Sequence, residues 1–241
     1  MNIEDFLKMS IEEYLFKDLQ NLSTIQVPKG DVGNASYPML SSILAGMELL
    51  GIIVCPNNPI RKTKDKSEID GGTHFTHFWT YYLSRYDKKY IGFNKLFYDL
   101  LRNGIVHTFM VKQHIIVYKS NSKHMCCSQT PPQLIVGCNE LFEDFKQTYY
   151  QHVLPILTNE NSITHVNRSK MQSNLDAVLD LYSEEADSQF KNLNLPKHTH
   201  TFITPLAIRS GASLSPIDIT ELSDGFSGTV IPSGILYNPK K

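Results

Sequence analysis

The chain has almost no net charge, few cysteines and a single tryptophan, and each shortage removes a class of protein. Its 23 basic residues stand against 24 acidic ones, a formal charge of −1. No global positive field of the nucleic-acid-binding kind exists, and any polyanion site has to be a local patch. Cys55, Cys126, Cys127 and Cys138 are too few and too badly spaced for a disulfide framework or a C-x-x-C zinc site. They read as reduced thiols of an intracellular protein. The first residues, MNIEDFLKMSIEEYLF, carry acids where a secretion signal needs a basic start. The longest apolar stretch, Ile43 to Cys55, is broken by Glu48 and reads as too short for a bilayer. A cytoplasmic protein with no membrane partner is expected.

What is present is globular. Hydrophobic residues make up 41% of 241 and charged residues 20%, enough for a core and for one large domain with an appendage. The expected division is a helical domain over 1–195 and an irregular or extended arm over 196–241, where Ser, Gly, Thr and Pro replace helix formers. No internal repeat is visible.

Apolar residues recur at helical spacing in several segments. Residues 2–22 give one amphipathic helix or two, with Ser10 and Glu13 as a capping box at the join. A glycine loop is expected at Lys29 to Asn34. Ser36 is the expected cap of an almost wholly apolar helix with Pro38 in its first turn. Glu48 in that helix lies either at an exposed edge or buried beside a cation. Cys55 to Gly72 reads as a polar loop and Thr73 to Asp87 as a helix, aromatic on one side through Phe78, Tyr81 and Tyr82. A β-hairpin or pair of strands is expected within Thr108 to Met125, turning at Ser120-Asn121-Ser122, and a short strand over Gln133 to Cys138. Asn139 is the expected cap of a further helix that Pro155 kinks or ends, and residues 168–192 give a more polar one.

The residues with most chemistry lie in FNKLFYDLLRNGIVHTFMV, Phe93 to Val111. Leu96, Phe97, Leu100, Leu101 and Ile105 make it an apolar helix that has no need of Arg102, Asn103 or His107. Residues four apart share a helix face, so Asn103 and His107 become neighbours, and the long Arg102 side chain reaches the same end. Arg102 is also the cation Glu48 would find if the two helices pack together. Set against this, Asn103-Gly104 is a good helix-ending pair, and His107 is then an ordinary structural histidine. His74 and His77, three apart, are a weaker metal candidate without an evident third ligand.

Arg102-Asn103-Gly104-Ile105-Val106-His107 resembles the arginine, polar residue, three residues, histidine motif of HEPN domains, the higher eukaryote and prokaryote nucleotide-binding helical bundles. The flanking SRYDKKY, LFYDLLRNG, NELFEDFKQTYYQHV and YPMLSSILAGMELLG segments extend the likeness over about residues 35–155. The resemblance implies a mainly α, HEPN-like helical bundle of the bacterial or phage type. Added to it are a small β-hairpin after the motif helix and the irregular C-terminal extension. It also implies a homodimer that cuts RNA without metal or cofactor, through Arg102, Asn103 and His107 with Glu48 in support. The alternative is a dimeric interaction or ligand-binding module of the same fold without catalysis.

Overall fold

Asn2 starts the first helix by accepting the Asp5 N–H at 2.7 Å, with Glu4 and Asp5 placed to suit the positive helix end. The computed structural model describes residues 1–26, 35–63, 67–108, 114–158 and 166–192, apart from the side chains of 106–108 and 192. The loop expected at 29–34, part of the lysine-rich run, the His107 side chain and the arm over 196–241 lie outside the described residues. What is described is mostly helical, with two small sheets, and belongs to one unit, Met1–Asn192.

Helix α1 covers residues 3–24. It runs through Ser10 and Glu13 in wide π-type turns over Leu7–Phe16, so the expected join is absent. Fully buried Ile11 lies between those two residues, and Ile3, Leu7 and Leu19 are buried with it; a break there would expose that stripe.

Helix α2 is Ser36–Ile53. Its cap is Ala35, in a left-handed conformation at φ 60°, while Ser36 is already helical and buried. By length and composition alone α2 is long and apolar enough to cross a membrane, contrary to the reading of the shorter 43–55 stretch. In this fold it is the central core helix, with Met39, Leu40, Ile43, Leu44, Met47 and Leu50 fully buried. A Cβ at Gly51 would lie 2.1 Å from the His74 carbonyl oxygen, so α2 meets the next helix at backbone distance.

The expected polar loop after Cys55 holds an antiparallel hairpin, β1 (Ile60–Lys62) and β2 (Ser67–Ile69), with Ile60 opposite Ile69. Gly71 and Gly72 are not loop but the first turn of α3, residues 71–86. Asp70 caps it by accepting both the Thr73 N–H (3.2 Å) and the Thr73 hydroxyl (2.8 Å). Its buried side is Phe75, Phe78, Trp79 and Tyr82, whereas Tyr81 is half exposed. The motif helix, α4, covers residues 94–108 with π-type turns over Phe97–Arg102.

After α4 the expected hairpin is replaced by a mixed sheet. Central β5 (Pro132–Gly137) pairs in parallel with β3 (Ile115–Tyr118) and antiparallel with β4 (Cys127–Gln129). The segment Ser120-Asn121-Ser122 does not turn the chain back on β3. Instead Asn121 accepts the Lys123 N–H with its side chain (2.8 Å) and the His124 N–H with its carbonyl (2.9 Å), a local turn competing with strand return. Helix α5, residues 138–153, opens at Cys138 with Gly137 as its cap, leaving Asn139 inside the first turn. It tightens into a 3-10 turn, Leu154–Thr158, at Pro155. Helix α6, Arg168–Asn192, lays Met171, Leu175 and Val178 on the core. The centre is aromatic: Trp79, Tyr82, Tyr90, Tyr149, Phe75, Phe78, Phe97, Phe142 and Phe145 are all fully buried.

Candidate functional site

Arg102 sits where the wide turns of α4 end, and its guanidinium turns toward α2. Nε donates to Glu48 Oε2 at 2.9 Å and Nη2 to Glu48 Oε1 at 3.2 Å, a forked pair. Of the two settings open to Glu48 in the sequence, the structure adopts the paired one, with side-chain exposures of 22% for Arg102 and 16% for Glu48. Nη1 donates to Asn103 Oδ1 at 3.3 Å. Glu48, Arg102 and Asn103 therefore form one connected group at a half-buried edge between α2 and α4.

Tyr98 and the glycines that open α3 complete this edge; by sequence the glycines read as loop, and nothing there brings Tyr98 to the site. The guanidinium carbon lies 5.5 Å from the Tyr98 ring centre, a cation–π contact. Burial, which outweighs the opposing Arg102 charge, raises the Tyr98 phenol above its usual pKa, and the Glu48 carboxylate adds to the rise. The Glu48 carboxylate fills the place of a side chain at Gly71, where a Cβ would be 2.2 Å from Oε1; at Gly72 a Cβ would be 3.0 Å from the Tyr98 ring. The glycine pair is the sequence signal for this approach, since only a residue without Cβ admits it.

His107 lies on the same helix, within Asn103–Thr108, so the backbone keeps Asn103 and His107 one turn apart. The position of its ring belongs outside the described residues. His74 and His77 do not converge on a common point. Nε2 of His74 is 3.0 Å from the Pro59 carbonyl and Nε2 of His77 is 3.2 Å from the Val54 carbonyl. Among the described residues no group of three metal-ligating side chains forms.

A second polar network went unread in the sequence. The Tyr90 hydroxyl donates to Asp144 Oδ2 at 2.6 Å and lies 2.8 Å from His124 Nε2, which must then donate to it. His124 Nδ1 accepts the Gly137 N–H at 3.1 Å, and Lys89 bridges Asp144 (2.6 Å) and Asp87 (3.0 Å). Burial foremost, with the Lys89 charge, depresses His124 to about 4. Burial and Asp144 raise the Tyr90 phenol far above its usual value. The network borders an open pocket of about 400 Å³ lined by Asn121, Ser122, Asn139 and Glu140 among others. With both ring nitrogens committed, His124 ties the sheet edge to Tyr90, which in turn bonds Asp144 of α5.

The chain matches no protein-family model, no curated protein and no solved structure.

Proposed function

We propose that this chain is a HEPN-like endoribonuclease that acts without a metal as a cytoplasmic homodimer, with Arg102, Asn103 and His107 in its site and Glu48 positioning Arg102. One observation carries the reading: Arg102 and Asn103 are joined at a half-buried edge, on the helix that carries His107 one turn later. Glu48 takes Nε and Nη2 of the guanidinium, which orients the Nη1 side.

Cleavage through the 2′-hydroxyl needs a base for that proton, an acid for the leaving 5′-oxygen and a cation for the charge growing on phosphate. An imidazole titrates near neutral pH and serves as base or acid. A guanidinium stays charged and offers a planar fork to phosphate oxygens. One chain supplies one motif imidazole, so a second copy supplies the other. The test is cleavage of single-stranded RNA by the purified chain in EDTA. The wild type should cut, His107→Ala should not, and Arg102→Ala should lose on the order of 10²–10³ in rate, as removal of a transition-state donor does. Wild-type activity no greater than that of His107→Ala refutes the reading.

A second reading, a dimeric helical module without catalysis, draws on the same ion pair. Glu48 neutralises the cation a phosphate would seek, and the pair then serves to tie α2 to α4. An inactive chain that is a dimer by light scattering would support it.

A further inference from the structure

We propose that the outer half of α6 is a docking surface for a basic amphipathic helix of another protein, apart from the Arg102 cluster and independent of the ribonuclease reading. Helix α6 is 25 residues long, and its first part is tied down: Met171, Leu175, Val178 and Leu181 are buried. From Tyr182 to Lys191 every residue is exposed. A helix end that meets only water is polar all round. This one is not: Leu179, Tyr182 and Phe190 are 36%, 53% and 64% exposed, and Ala186 lies in line with them.

Leu179, Tyr182, Ala186 and Phe190 follow one another at steps of three, four and four. Eleven residues complete almost whole turns, so such a row runs nearly straight along one side of the helix, over about 16 Å. A straight apolar row on a helix is what a second helix packs along lengthwise. Tyr182 and Ala186 also line an open groove of about 740 Å³, together with Ser67 of β2 and Leu181, Glu184 and Glu185 of α6. The row therefore has a concave flank in which a partner can seat.

Charge selects the occupant. Asp180, Glu184 and Asp187, at steps of four and three, make an acidic row on one side of the apolar one, and Glu185 stands on the other side. Lys191 is the only base from Leu179 to Lys191, and among the described residues no ion pair engages those four acids. RNA and anionic lipid are repelled by such a face. A second copy of the chain laid on the same row sets acid against acid. A helix with one apolar face and Lys or Arg beside it meets both rows at once, its long stems reaching the carboxylates.

The probe is a labelled peptide of about 18 residues, long enough to hold a helix, with leucines on one face and lysines beside them. Its binding to the full chain is read by fluorescence anisotropy. A Kd of order 10 µM is expected at low salt, since the contact is smaller than a standard interface, with a several-fold weakening at about 0.3 M salt. Leu179→Ser with Phe190→Ser should weaken binding at least about tenfold, and Asp180→Lys with Glu184→Lys at least about fivefold. Tyr14→Ser, which removes an exposed aromatic of α1, should leave it unchanged. All these positions are exposed, so the variants keep the fold, which circular dichroism checks. A peptide with glutamates in place of the lysines should not bind. No wild-type binding up to about 1 mM, or binding that ignores the α6 substitutions, overturns the proposal. Self-association of the chain that Leu179→Ser with Phe190→Ser abolishes overturns it as well and gives the row to a second copy.

Discussion

Replacing Glu48 with glutamine keeps the shape of the side chain and removes one charge from the pair that joins α2 to α4. Two charge-assisted hydrogen bonds, at 2.9 and 3.2 Å, and exposures of 22% and 16% place the pair between two known regimes. Exposed ion pairs contribute roughly 0.2–1 kcal/mol, and removal of one partner from a fully buried pair costs about 3–5 kcal/mol. Glutamine can still accept one bond through its oxygen, so the expected loss for Glu48→Gln is about 1.5–2.5 kcal/mol. For a domain of this size that lowers Tm by roughly 4–8 °C. A double-mutant cycle with Arg102→Ala, followed by urea unfolding, should return a coupling of about 1.5 kcal/mol. Under the proposed function, Glu48→Gln alone should lower the rate of RNA cleavage about 10- to 100-fold with little change in KM, since a misplaced Arg102 weakens the transition state more than binding. A coupling below about 0.5 kcal/mol would equal that of an exposed pair and refute the claim that Glu48 positions Arg102.

Further outcomes follow from other contacts. Gly51→Ala drives a methyl to 2.1 Å from the His74 carbonyl oxygen, and since neither backbone can yield, unfolding in urea should show a loss of about 3 kcal/mol or more. Asn174 is fully buried and donates from Nδ2 to the Ile53 and Cys55 carbonyls at 3.0 and 2.8 Å. Asn174→Ala leaves those helix-end acceptors unpaired, and calorimetry should show a loss of about 2–3 kcal/mol. His124 is held at about 4 in the folded chain, against roughly 6.5 unfolded. Below the unfolded value the unfolded chain takes up the proton first, so this contribution is present above pH 6.5 and lost as pH falls toward 4. Between about pH 7.5 and 5 the wild type should lose about 2 kcal/mol more than His124→Gln does in urea; parallel losses would refute the assignment.

The sequence by itself determined the helical character, the apolar faces and much of the Arg102 cluster. Hydrophobic spacing reports which residues turn inward, and that is a local property: of the apolar positions in residues 2–22, Ile3, Leu7, Ile11 and Leu19 are buried, whereas Tyr14 stands exposed. A lone glutamate in an apolar helix must also find a cation or the surface, which is why Glu48 and Arg102 could be linked before any contact was known. The boundaries were less legible. Ala35 in a left-handed turn caps α2 in place of Ser36, and Asp70 makes a helix start of two glycines that read as loop. What only the tertiary structure decided are partners far apart in the chain: β3 with β5 in parallel, Tyr90 with Asp144 across 54 positions, Asn174 with the end of α2. Periodicity carries the fact of burial but not the identity of the group met there. That depends on how whole elements pack, and the close approaches at Gly51 and Gly71 fix it here.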